Sequence, residues 1–182
     1  MSEGTSTGSD PAAAAAAELV ELVDDGGAVV GLVTRAEMRA GGGRHRCSYV
    51  FLLTPDRHLV VHQRAQWKDV FPGAWDVAFG GVCGVGESWF DSARRELGEE
   101  AGVDGVELVD LGAVTYDTPG VAILGRVFVA VTDRTPTTSD EVVRLERVPL
   151  DRLERWRHGR VTCPDSVAAA LPVLLDWAAG QH

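Results

Sequence analysis

Three glutamates stand at positions 96, 99 and 100 of the 182-residue chain, a spacing of i, i+3 and i+4. On a helix such residues share one face, within an arc of roughly 100°. Like charges so placed repel by about a few tenths of a kcal/mol per pair in an isolated helix. A helix selected for stability alone would avoid the arrangement, whereas a hard divalent cation turns it into a ligand set. Mg2+ takes oxygen ligands and is usually held by a few carboxylates together with substrate phosphate oxygens. Glu87 and Arg95 carry opposite charges before and at the start of this cluster, suited to hold a loop against the helix by an ion pair or hydrogen bonds. Gly81 and Gly102 bracket the segment, one permitting close backbone approach, the other a left-handed helix stop. Any single glutamate here reads as part of a solvated face; the complete spacing is what singles the segment out.

The elements that must position these groups are legible in outline. Residues 88–101 carry helical periodicity, with Phe90, Ala93, Leu97 and Ala101 on one face and Gly102 as the stop. Residues 18–24 and 28–35 read as strands around an Asp25-Gly26-Gly27 turn, and residues 36–40 as one helical turn before three glycines. A second hairpin is expected from residues 47–53 and 58–63 around Thr54-Pro55-Asp56-Arg57, followed by a loop with Pro72-Gly73 and a short apolar stretch at 77–79. Further strands are expected at 106–116, 121–131 and 142–148, a short helix at 150–156, and a last helix opening at Pro164-Asp165-Ser166, with Asp165 or Ser166 as its cap. Residues 1–17, Ser/Thr/Gly-rich and then poly-Ala, read as a disordered tail with at most a frayed turn at the alanines. The expectation is a single α/β domain over 18–180 with a mixed sheet.

Composition narrows the function class. The chain has 45% hydrophobic residues and a mean hydropathy of zero, ordinary for a globular protein long enough to fold without staples. It holds no apolar run of about 18 residues, and its polar, acidic start lacks a basic n-region, so neither a membrane span nor a secretory leader is expected. Three cysteines at wide spacing (Cys47, Cys83, Cys163) form no zinc or disulfide pattern and fit a reducing, cytoplasmic setting. The net charge is −10, from 17 basic and 27 acidic residues, and the one lysine is Lys68. Such a surface repels phosphate backbones, so nucleic acid is not an expected partner. A small phosphorylated ligand held through divalent cations remains compatible with it. A homodimer is compatible with the chain, though no residue pattern calls for one.

Residues 81–103, GVCGVGESWFDSARRELGEEAGV, resemble the Nudix box, Gx5Ex7REUxEExGU with U aliphatic. All seven fixed identities match, an event on the order of one in 10^5 by chance at ordinary composition. The resemblance implies an α/β/α sandwich in which the box forms a loop–helix–loop. It also implies hydrolysis of a phosphoanhydride bond in a nucleoside diphosphate linked to another moiety X, with Mg2+ or Mn2+ as cofactor. Carried across residue by residue, Glu96, Glu99 and Glu100 are the metal candidates and Glu99 and Glu100 the catalytic ones, with Glu99 a candidate base. Gly81, Glu87, Arg95 and Gly102 support the box. Glu141, in the Ser139-Asp140-Glu141 loop, is a second candidate base or ligand; an ordinary loop residue is the plainer reading.

The flanks resemble the branch of this superfamily related to isopentenyl-diphosphate isomerase, over residues 18–170. The likeness rests on Gly31-Leu32-Val33-Thr34-Arg35-Ala36-Glu37-Met38, His45, Gln63-Arg64-Ala65 with Lys68, and Phe71-Pro72-Gly73-Ala74-Trp75. It implies diphosphate contacts from Arg64 and Lys68; His45 matches a metal ligand of the isomerase but lacks the partner histidine, and reads as structural or substrate-lining. The isomerase Cys-x-His, however, falls on Gly80 and Val82, and Cys83 has no histidine two residues on. Its proton shuttle therefore lacks one half, while the hydrolase box is whole. Hydrolysis is the first reading, with isomerase-like activity and a non-catalytic nucleotide sensor as its rivals. Trp67, Phe71 and Trp75 beside Lys68 read as a stacking wall or as packing, and Tyr116 as a possible contact at a strand end.

Overall fold

The computed structural model describes residues 10–181. Residues 1–9, the first part of the expected tail, lie outside the described residues. Of the rest of that segment, Pro11–Ala17 forms a short helix, α1, capped by the Asp10 carboxylate, which accepts the Ala12 N–H.

Strands β1 (Leu19–Val23) and β2 (Val29–Thr34) pair antiparallel around the expected turn, where Asp24 accepts the N–H groups of Gly26 and Ala28. Helix α2 is longer than one turn, running from Arg35 to Gly41. A reciprocal Thr34–Glu37 capping box starts it and a left-handed Gly42 ends it. The Thr-x-x-Glu spacing carried that signal.

Strand β3 (Arg44–Leu53) is the spine of the fold. It pairs parallel with β7 (Val121–Val131) along its whole length, and β7 pairs antiparallel with β6 (Val109–Thr118). On the opposite edge of β3, Val50 exchanges both backbone hydrogen bonds with Phe79 and Ser48 N–H donates to Gly81, so the glycine loop is strapped to the sheet. Strand β4 (His58–Arg64) runs between β8 (Val142–Pro149) and the two-residue β5 (Trp75–Asp76). The apolar stretch 77–79 is thus mostly loop backbone laid along β3.

Because side chains alternate across a strand, β3 feeds two cores. Tyr49, Phe51 and Leu53 pack with Val127, Leu171 and Leu174 on one face. Val50 and Leu52 pack on the other with Phe128 and with Ala93, Leu97 and Ala101 of α3 (Trp89–Ala101). Both faces are covered, so β3 reads as a nearly continuous apolar run. Phe90, expected on the α3 core face, is 39% exposed and lays its ring edge against Phe128. After β8 come a 3-10 turn (Leu150–Arg152), α4 (Leu153–Arg157), a π-helical turn (Ser166–Ala170) and α5 (Leu171–Ala179). Neither Asp165 nor Ser166 caps that last unit with its side chain; Ser166 donates instead to the Cys163 carbonyl. The result is an α/β sandwich with helices on both faces of a mixed sheet.

Candidate active site

Helix α3 starts where Ser88 accepts the Asp91 N–H and stops at Gly102, whose φ of 64° places it in the left-handed region. Its inward face carries Glu96 and Glu100, both buried, while Glu99 is largely exposed. Arg95 ties the segment together. Its Nε donates to Glu87 Oε1 at 2.9 Å, and its Nη1 reaches Glu96 and Glu99 at 2.9 Å each. Glu87 in turn accepts the Gly84 N–H at 2.7 Å, so the expected loop-to-helix brace is in place. The hydrogen bond to Glu87 comes first among the causes that hold the Arg95 guanidinium well above its ordinary range. Gly81 leaves no room for a side chain: a Cβ there would lie 2.6 Å from Glu96 Oε1.

Glu100 accepts the Gly80 N–H at 3.0 Å, and Lys68 Nζ lies 4.0 Å from its other oxygen. Burial pushes the Glu100 carboxyl up to about 8, with the charge of Glu96 adding to it. Burial raises Glu96 as well, against the opposing pull of Arg95. Lys68 also forms an ion pair with Glu141, which brings the loop glutamate to the box. Among the described residues no three His, Cys, Asp or Glu side chains converge as a ready metal cage. The box glutamates are held apart, Glu99 outward on Arg95 and Glu100 inward on Gly80. Hard oxygen donors, two of them buried with their charge disfavoured, nevertheless suit a hard divalent cation.

Lys68, Glu96, Glu99 and Glu141 line a cavity of about 630 Å3, within the range of small-molecule sites, and Glu100 lies buried behind them. Arg64 lines it too, its Nε donating to the Val70 carbonyl and its guanidinium 3.9 Å from Asp76. His45, Trp67, Phe71 and Tyr116 also face it, whereas Trp75 does not; its ring meets Trp156 edge-on instead. Burial lowers the His45 imidazole to about 4.

Several cavity residues escaped the reading of the sequence. Tyr49 donates its hydroxyl to Asp165 at 2.9 Å, and Asp76 is buried beside them, its carboxyl raised by burial and by the charge of Asp165. Only the Pro164-Asp165-Ser166 signal touched this group, and it suggested a cap. Gly80 and Val82 occupy the Cys-x-His positions as backbone laid along β3. Cys83 is buried, its thiol pushed up to about 11 by burial, which makes it a poor acid–base group at neutral pH.

Comparison with known proteins agrees with this geometry. The NUDIX domain model matches residues 43–163. A protein of Pseudomonas aeruginosa named as an uncharacterized Nudix hydrolase is 37% identical over 166 residues, 90% of this chain and 97% of that protein. The Nudix hydrolase YfcD of Escherichia coli is 32% identical over 117 residues, 64% of this chain and 65% of that one. Among solved structures, DR0079 from Deinococcus radiodurans superposes with a TM-score of 0.70 at 25% identity, covering 81% of this chain and 94% of its own. The NUDIX domain of Shewanella oneidensis NrtR, complexed with ADP ribose, shares the fold at a TM-score of 0.62 and 16% identity, over 80% of this chain and 99% of that one. With the box intact, its brace formed and most of the chain matched, the protein belongs to the Nudix hydrolase family.

Proposed function

We propose that the chain hydrolyses the phosphoanhydride bond of a nucleoside diphosphate linked to a second moiety, or of a related small diphosphate, using Mg2+ or Mn2+. The observation that carries this reading is the clustering of Glu96, Glu141 and Lys68 in the wall of a cavity large enough for a nucleotide, with Glu100 buried 4.0 Å behind the Lys68 ammonium. Glu96, Glu99 and Glu100 would hold the cation, which when bound supplies positive charge to the diphosphate oxygens and acidifies water. Lys68 and Arg64 face the same end and would bind the diphosphate by charge-assisted hydrogen bonds. Lys68 would exchange its present partner, Glu141, for phosphate oxygens and leave that carboxylate free. Glu141 and Glu99 are the less buried carboxylates of the set and are the candidates to take the proton from the attacking water. The ADP ribose held by the Shewanella domain makes nucleotide-linked sugars a natural starting class.

The test is a product screen by mass under each metal, which detects the two phosphomonoesters that cleavage of the phosphoanhydride bond releases. The panel holds nucleoside di- and triphosphates, nucleotide sugars, ADP-ribose, NADH, dinucleoside polyphosphates and isopentenyl diphosphate. Turnover of at least one member is expected; silence across it under both metals would overturn the hydrolase reading. Glu141→Gln tests the base without touching the proposed metal ligands: general-base loss costs about 10^2 to 10^4 in kcat, and full turnover in this variant would leave Glu99 as the candidate.

A further inference from the structure

The cavity has a second pole, away from the carboxylates. On β3, His45, Cys47 and Tyr49 point to the same face of the sheet, and all three line the cavity. The box loop runs along β3 from Ser48 to Arg46; Gly81, against which Glu96 lies, stands opposite Ser48, so His45 is three residues, roughly 10 Å, along the strand from the level of Glu96. Its Nδ1 is 3.1 Å from the Gly43 carbonyl. A carbonyl oxygen only accepts, so Nδ1 carries the proton. The ring is neutral at pH 7, its pKa lowered by burial, and Nε2 is therefore a bare lone pair. That nitrogen is buried and has no hydrogen-bond partner among the described residues. The nearby cations are occupied elsewhere, Arg35 with Glu18 and Arg39 with Asp69.

We infer that His45 reads a hydrogen-bond donor, an O–H or N–H, on the X group of the substrate, about 10 Å from the diphosphate end. Buried polar groups in native proteins are nearly always paired; Nε2 lies just beneath the cavity wall, closed to solvent, and a ligand donor seated against that wall satisfies it after a small side-chain shift. Tyr49 and Asp165 extend the same polarity: the hydroxyl is spent on the carboxylate, so what the pair offers a ligand is the accepting oxygen of Asp165. The X group is accordingly polar, a sugar or base with hydroxyl or amino groups, and not a hydrocarbon chain. This deepens the hydrolase reading and rests on it for the place of the diphosphate.

Calorimetry with Ca2+ in place of Mg2+ would measure binding of ADP-ribose, UDP-glucose and NADH, whose X groups carry donors, and of methyl diphosphate and geranyl diphosphate, whose organic groups carry none. His45→Leu should weaken at least one donor-bearing ligand roughly tenfold, the order of one buried hydrogen bond lost. It should leave methyl and geranyl diphosphate within twofold. His45→Gln, which can place an amide oxygen near the Nε2 position, should recover most of the loss; melting curves confirm that both variants fold. Equal weakening of all ligands, no weakening of any, or no binding of the three donor-bearing probes by the wild type would overturn the inference. The readout is separate from turnover: a wild type that binds but hydrolyses nothing refutes the hydrolase reading and still tests His45.

Discussion

Glu100 is held by opposing forces. Burial and the neighbouring Glu96 charge disfavour its ionised form, while the Gly80 N–H and Lys68 favour it. A structural role would be served better by glutamine, which keeps the hydrogen bond from Gly80 without the charge. Glu100→Gln is therefore expected to lower kcat by at least about 100-fold, the several kcal/mol attributed to a bound cation. The variant should melt no lower than wild type in EDTA at pH 8, where the wild-type carboxyl is half ionised at a cost to the fold. Loss of stability with activity intact would show that the carboxylate serves the fold and not the reaction.

At the scale of elements, α3 is positioned by its two ends, and the C-terminal end is the more demanding. Gly102 turns left-handed, donates to the Gly98 carbonyl, and leaves only 2.5 Å between a would-be Cβ and Thr137 Oγ1. Gly102→Ala should cost about 1–2 kcal/mol from the left-handed conformation, and more if Thr137 cannot move. Gly41→Ala, in open space at the end of α2, should be neutral or stabilising by up to about 1 kcal/mol; urea midpoints with unchanged slopes check both. The same elements show what a sequence can reveal. β3, β7 and α3 were legible because burial on both strand faces makes an apolar run and burial on one helix face makes a 3.6-residue period. β5, two residues long, has no period to read. Asp76, Tyr49 and Asp165 lie far apart in sequence and meet only because β3, β5 and the segment after Cys163 converge on one cavity. Local rules reduced Asp165 to a cap because its partner is 116 positions away.

For the whole molecule, the pH dependence of stability follows from histidines buried without charge. His62 is stacked on Phe79 at 4.6 Å, neither ring nitrogen has a partner among the described residues, and burial lowers it to about 3. The unfolded chain binds a proton there near 6.5, so between about pH 6.5 and 3 the unfolded state holds the extra proton and stability falls with acidification. Glu100 acts in the opposite sense without metal: its raised carboxyl binds a proton in the fold between about 4.5 and 8, so acidification through that window stabilises. The two trends overlap, and the net slope of the wild type assigns neither. His62→Leu removes only the first. Its stability difference between pH 7.5 and pH 5.5, from urea unfolding in EDTA, should exceed that of the wild type in the stabilising direction on acidification by about 1.4 kcal/mol, one pH unit below the unfolded pKa. His45, with a folded value near 4, contributes equally to both proteins and cancels. An identical pH dependence in variant and wild type would mean that His62 titrates in the fold as it does in the unfolded chain, and that the stack on Phe79 accepts a charged ring at pH 5.5.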